Sequence, residues 1–190
     1  MFNIRDCINE PLLNIVSSNI DNIYYAEMRN FLNNCIDSFI SNIDINDKKI
    51  VDIGLTGHAK RFENCIFHTI DIDIKNNPTY HCDITVNNED KIPSNYYDIT
   101  FCNEVLEHTS NPLEAIKELI RITNINGLIV ISTPYNFRIH GPLYDTIRFS
   151  EWFYKNYFNK ENFEILQLVA LEDVNRKLFP ISYFCVIKKL

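Results

Sequence analysis

The chain has only four glycines in 190 residues, and two fall together in Asp52-Ile53-Gly54-Leu55-Thr56-Gly57-His58. Glycine at such a point lets backbone approach a ligand closely and turn sharply into a helix. Nineteen residues after Asp52 comes Asp71. An acid at that offset suits a ribose diol, whose two hydroxyls can donate to one carboxylate. Asp83 and Asn103 close two further apolar runs. Any one of these reads equally well as a turn former at a strand end. Their joint spacing points instead to one ligand. Directly after Asn103, Glu104, Glu107 and His108 form E-x-x-E-H, with Glu104 and His108 spaced to share a helical face. His140 follows in a later loop, then Asp145 and Arg148. Carboxylates and imidazoles can move a proton near neutral pH, and the set Glu104, Glu107, His108 and His140 could hold a divalent metal. Arg148 could clamp a phosphate or carboxylate on a hydroxylated molecule, or pair with Asp145 and brace the loop.

These groups need strands that end where the polar residues begin. Residues 49–53, 66–72, 80–82, 97–102 and 128–132 read as successive strands, with β-rich runs at 163–171 and 181–188. Met28, Leu32, Cys35, Ile36, Phe39, Ile40 and Ile43 repeat at helical spacing, so an amphipathic helix precedes the first strand. Residues 8–20 and a short stretch at 58–64 also read as helical. Asn111-Pro112-Leu113-Glu114 opens another helix, with Asn as the N-cap and an apolar face of Leu113, Ile116, Leu119 and Ile120. Gly127 is expected to release the fifth strand, and Ser150 to cap a helix over 151–158. Strands alternating with helices make an α/β fold with a largely parallel sheet, which binds ligands at the carboxyl ends of its strands. The aromatics Trp152, Phe153, Tyr154, Tyr157 and Phe158 are expected in the core and pocket wall.

With 46% apolar and 23% charged residues, the chain is expected to fold as one domain over 1–190. Residues 1–45 would supply N-terminal helices and 48–190 the core. Six cysteines form no C-x-x-C pair, which predicts reduced thiols and no zinc site. No run reaches the length of a membrane span, and no signal peptide is evident at the N-terminus, so a cytoplasmic location is expected. The net charge of -7, with dispersed lysines and arginines, counts against nucleic acid as a partner.

The segments VDIG, TIDIDI, HCDIT, YYDITFCNEVLEH and NGLIVISTP resemble, in order and spacing, the motifs of class I S-adenosylmethionine (SAM)-dependent methyltransferases. The resemblance implies a Rossmann-like three-layer sandwich with a seven-stranded, mostly parallel sheet and an antiparallel last strand. It places Asp52, Gly54 and Gly57 in the loop under the methionine portion of SAM, and Asp71 at the ribose. It puts Asp83 and Ile84 beside the adenine, and Asn103 near the methionine end. The family's loop is D-x-G-x-G-x-G, where this chain has Thr56 and His58 at the second and third glycine positions. A dinucleotide dehydrogenase would want G-x-G-x-x-G, of which only Gly54 and Gly57 are present.

On the acceptor side, S-T-P, His140 and Asp145-Thr146-Ile147-Arg148-Phe149-Ser150 resemble methyltransferases of polysaccharide and glycan pathways. That implies O-methylation of a sugar, glycan or other small hydroxylated acceptor, with His108, His140 or Glu104 as the catalytic base and Asp145 and Arg148 at the substrate. E-x-x-E-H with a later His also resembles metal-dependent RNA 2′-O-methyltransferases and quinone-pathway O-methyltransferases. In metal-free relatives the His of such a segment lines the pocket or its acids hydrogen-bond backbone. A non-catalytic SAM-fold binding protein is the third reading.

Overall fold

Helix α1 (Asn19–Ser41) buries Met28, Leu32, Ile36 and Phe39 on one stripe, at the spacing read from the sequence. Ile43 lies beyond its end. The computed structural model describes residues 19–54, 61–140, 145–159 and 161–190, with side chains from residue 23 onward. Most of the helix expected at 8–20 and most of the one at 58–64 fall outside these residues; residues 19 and 20 belong to α1, and residues 62–64 are not helical.

Seven strands form one sheet: β1 (Lys49–Ile53), β2 (Ile66–Asp71), β3 (Tyr80–His81), β4 (Tyr97–Asn103), β5 (Thr123–Pro134), β6 (Phe163–Glu172) and β7 (Pro180–Lys189). Their order is β3-β2-β1-β4-β5-β7-β6. Every neighbouring pair is parallel except those of β7, which runs antiparallel to β5 and β6. This is the Rossmann-like sheet expected, including its antiparallel last strand. β1 and β4 are neighbours although two strands separate them in sequence, so the winding reverses there and a crevice opens at their carboxyl ends.

Helices cover both faces. On one, Leu32, Ile36 and Phe39 of α1 pack against Ile50, Phe101, Val130 and Phe184. On the other lie α2 (Pro112–Ile122) and α3 (Glu151–Tyr157), which bury Ile116, Leu119, Ile122 and Tyr154 against Ile53, Cys102 and Ile131. The Tyr24 hydroxyl donates to Asp173, and Arg176 Nη2 donates to Tyr24 at 3.0 Å, which ties α1 to the turn after β6.

The caps are as read: Asn111 accepts from the Glu114 N–H at 3.4 Å, and Ser150 Oγ from the Phe153 N–H at 3.3 Å. The buried face of α2 is different. Leu113 is 44% exposed, and the stripe is Ala115, Ile116, Glu118, Leu119 and Ile122. Leu113 sits in the first turn facing water, and Glu118 enters because Arg121 and Asn88 partner its carboxylate. β5 also begins earlier than expected, at Thr123. Gly127 lies inside it, where a Cβ would stand 2.8 Å from Thr123 Cγ2 and 2.9 Å from the Asn124 carbonyl. Trp152 is 68% exposed, outside the core, while Tyr154 and Phe158 are buried as expected. Five cysteines among the described residues are free thiols.

Candidate functional site

The strand-end residues gather around the crevice between β1 and β4. Asp52, Asp71 and Asn103 are all buried there. Asp71 organises the turn after β2: its Oδ1 accepts from the Asp73 N–H at 2.7 Å, and its Oδ2 from Asn76 Nδ2 at 2.8 Å. Each carboxylate oxygen keeps a second lone pair, so the group can still accept from a diol. Asp83 Oδ1 accepts both the N–H and the hydroxyl of Thr85, at 2.8 and 2.7 Å. Gly54 has φ 81°, and a Cβ there would stand 2.6 Å from Val105 Cγ2, so this position requires glycine. Gly57, with Thr56 and His58, lies outside the described residues. A cavity of about 280 Å³ opens among Gly54, Asp71, Asp83, Ile84, Val105 and His108. Asn103 is fully buried, and neither atom of its amide has a partner among the described residues. Leaving a buried amide so costs roughly 1–3 kcal/mol, which a ligand's polar group can offset.

A second cavity, of about 190 Å³, meets the first at His108 and lies under α1. Tyr25, Met28, Arg29 and Leu32 line it from the helix, with Glu104, His108, Phe137 and His140 completing the wall. No sequence signal tied α1 to the site, because its residues lie about 75 positions before the motif they cover.

The E-x-x-E-H residues divide their roles. Glu104 has φ 55°, a strained backbone for a non-glycine residue of the kind that concentrates at functional sites. Its Oε1 accepts from the Ser132 hydroxyl at 2.9 Å. Burial pushes its carboxyl up to about 7, against the lowering by Ser132, Arg29 and Arg148. Leu106–His108 is a single 3₁₀ turn, not the longer helix that would set Glu104 and His108 on one face. That turn carries Glu107 inward, fully buried with neither carboxylate oxygen hydrogen-bonded among the described residues, though His108 Nε2 lies 3.7 Å from its Oε1. Burial raises its carboxyl well above the usual range, and the Glu104 charge adds to this. The His108 and His140 rings meet edge-on at 4.8 Å. Ligand atoms of Glu107, His108 and His140 all lie within 4.8 Å of one another, while Glu104 stays outside that group. Burial lowers the His140 imidazole, and the neighbouring His108 lowers it further.

Asp145 and Arg148 are partners. Arg148 Nη2 donates to Asp145 Oδ2 at 2.7 Å, Nη1 donates to Oδ1, and further bonds reach the carbonyls of Arg138 and Ile147 at 3.2 and 3.0 Å. Asp145 Oδ2 also accepts from the His140 N–H at 2.7 Å, and lies 3.3 Å from His140 Nδ1 without hydrogen-bond alignment. Burial pushes the Asp145 carboxyl up, but Arg148 and the His140 N–H bring it below its ordinary range. Of the two roles open to this pair, the geometry favours the brace: it fixes the loop that carries His140. Thr146, which the sequence did not single out, pins the same loop. Its N–H donates to the Glu107 carbonyl at 2.8 Å, and its hydroxyl reaches the carbonyls of Glu107 and Thr109.

The Glu104 shift has a sign that can be measured. Between pH 4.5 and about 7 the native carboxyl holds a proton that the unfolded chain has released, so stability falls as pH rises through that window. Glu104→Gln is expected to flatten that slope. Urea midpoints at pH 5 and pH 8 that shift equally in both proteins would mean that Glu104 ionises normally.

Residues 26–177 match the model of a methyltransferase-domain family. No curated protein matches the sequence. Among solved structures, a SAM-dependent methyltransferase from Aquifex aeolicus aligns over 81% of this chain and 89% of its own, with TM-score 0.56 and 13% identity. One from Mesorhizobium loti aligns over 77% and 93%, with TM-score 0.57 and 11% identity. One from Methanosarcina mazei aligns over 80% and 97%, with TM-score 0.57 and 15% identity. Identities this low carry the fold alone, whereas the family model spans most of the sequence. The chain therefore belongs to the methyltransferase-domain family.

Proposed function

We propose that this enzyme O-methylates a small hydroxylated acceptor such as a sugar or glycan unit. SAM would occupy the larger cavity and the acceptor the smaller one beneath α1. The observation that carries the reading is that His108 lines both cavities, so an imidazole stands where donor and acceptor would meet. Of the residues proposed for the donor, Asp71 for the ribose hydroxyls and Asp83 and Ile84 beside the adenine line that cavity, while Asn103 lies buried outside its lining with its amide unspent. SAM supplies a methyl group already activated as a sulfonium, which leaves the protein to align the acceptor and take its proton. His108 would hold that proton, and the Asp145–Arg148 brace would keep His140 against it. Asp52 and Gly54 would shape the donor loop. At about 190 Å³ the proposed acceptor cavity is the smaller of the two, so it suits the reacting end of a small molecule.

Two measurements test this. Asp71→Ala should weaken SAM binding by roughly 1–3 kcal/mol in calorimetric titration, the value of hydrogen bonds to a charged group. Unchanged affinity would remove Asp71 from the ribose. Methyl-labelled SAM, offered with a panel of hydroxylated acceptors, should leave its label on oxygen. Label on nitrogen or carbon would overturn the O-methylation reading.

A second reading adds a divalent ion at Glu107, His108 and His140, supported by the approach of their ligand atoms. Activity should then fall with chelator and return with a divalent ion. Full activity after exhaustive chelation would end it.

A further inference from the structure

Tyr25, Met28, Arg29 and Leu32 lie at i, i+3, i+4 and i+7 on α1, so the helix turns a single face to the smaller cavity. Leu32 and Met28 are buried, while Arg29 is exposed at the rim. Among the described residues Arg29 makes no hydrogen bond and no ion pair. The nearby Glu104 carboxyl accepts from Ser132 instead, and Arg148 is taken up by Asp145 and by loop carbonyls. The chain carries 25 acidic and 18 basic residues. A guanidinium left uncommitted at this cavity therefore does not belong to a generally basic surface.

We infer that Arg29 binds an anionic group on the methyl acceptor, a carboxylate or a phosphate, and so selects acidic hydroxylated acceptors over neutral ones. The inference rests on reading the smaller cavity as the acceptor site. A planar guanidinium offers two parallel N–H donors that match a carboxylate or phosphate, which gives orientation as well as affinity. Anchored at the α1 rim, such an acceptor would extend its hydroxyl inward toward His108, the residue shared with the donor cavity. The simpler role for Arg29, a counter-charge to Glu104, predicts no affinity for external anions.

The test uses the protein saturated with S-adenosylhomocysteine, so that no methyl transfer occurs. Inorganic phosphate, acetate and uncharged methyl glucoside are titrated separately. The ¹⁵N signals of the His108 and His140 imidazoles and of the Arg29 guanidinium report binding. Saturable shifts of all three groups are expected with phosphate or acetate, and the tighter of the two identifies the anion class. Arg29→Gln should weaken that binding roughly 10–150-fold, as expected for lost hydrogen bonds to a charged group. Arg29→Lys should retain part of it through charge alone. The same titration with Lys48→Gln, altered at the opposite end of the sheet, should match the parent. The inference is overturned if neither anion binds in the millimolar range, if Arg29→Gln binds as the parent does, or if methyl glucoside binds as tightly as the anions. Because nothing is methylated here, those failures leave O-methylation standing. Anion binding without label on any oxygen would remove that reading by itself.

Discussion

Replacing His108 with Ala is expected to lower the single-turnover methyl-transfer rate by roughly 10²–10⁴-fold, the usual worth of a general base. A hydroxyl is a poor nucleophile at neutral pH, and an imidazole in reach of its proton is the group best suited to take it. His108 is the residue that lines both cavities, and its ring is held edge-on to His140 at 4.8 Å. SAM affinity should be nearly unchanged, because Asp71, Asp83 and Asn103 would hold the donor without it. His140→Ala is the comparison. Its ring is more enclosed and its neutral form is favoured by burial, but it lines only the acceptor side. Wild-type turnover in both variants would exclude both histidines. The proton would then leave to Asp145, to water or to Glu104, whose carboxyl stands at about 7 on the wall of the smaller cavity.

Glu118→Ala is expected to destabilise the fold by ~1–3 kcal/mol, the cost of leaving the hydrogen-bond partners of a buried carboxylate unsatisfied. For a chain of this size that corresponds to a Tm roughly 2–12 °C lower. Glu118 is 5% exposed and receives four hydrogen bonds. Arg121 donates to both its oxygens at 2.7 Å, and Asn88 donates to Oε1 from its backbone N–H at 3.0 Å and its side chain at 3.2 Å. Arg121 in turn donates to the Ile92 carbonyl at 2.8 Å, and Asn88 Nδ2 to the carbonyls of Asp83 and Val86, both at 2.8 Å. Loss of Glu118 therefore strips Arg121 of its carboxylate, leaving it the Ile92 carbonyl and the Ser94 hydroxyl, takes the acceptor from the Asn88 N–H, and loosens the loop that forms the Asp83 wall of the larger cavity. Weaker SAM binding should accompany the lower Tm. A loss below about 1 kcal/mol would be the behaviour of a solvated surface pair and would sink this account.

Residue order alone determined the α/β alternation, the approximate strands, both helix caps and the run of polar residues at the strand ends. These are local properties. Apolar runs set strand cores, Asn111 and Ser150 satisfy N–H groups within three residues, and a parallel sheet brings its strand ends to one edge. Local periodicity also misled where long-range partners decide. Glu118 is polar by type yet buried, because Asn88 lies thirty residues away in sequence and beside it in space. Trp152 is apolar by type yet exposed, because α3 presents Tyr154 to the sheet and turns Trp152 outward. The acceptor side was the least legible. The sequence left Arg148 either to grip a substrate or to pair with Asp145, and it is the folded loop that sets it against Asp145 and the backbone carbonyls around it. Arg29, which no motif marked, lines the smaller cavity only because the fold sets α1 beside Glu104, His108 and His140. A side chain's partners depend on which surfaces the fold brings together, and spacing along the chain does not carry that information.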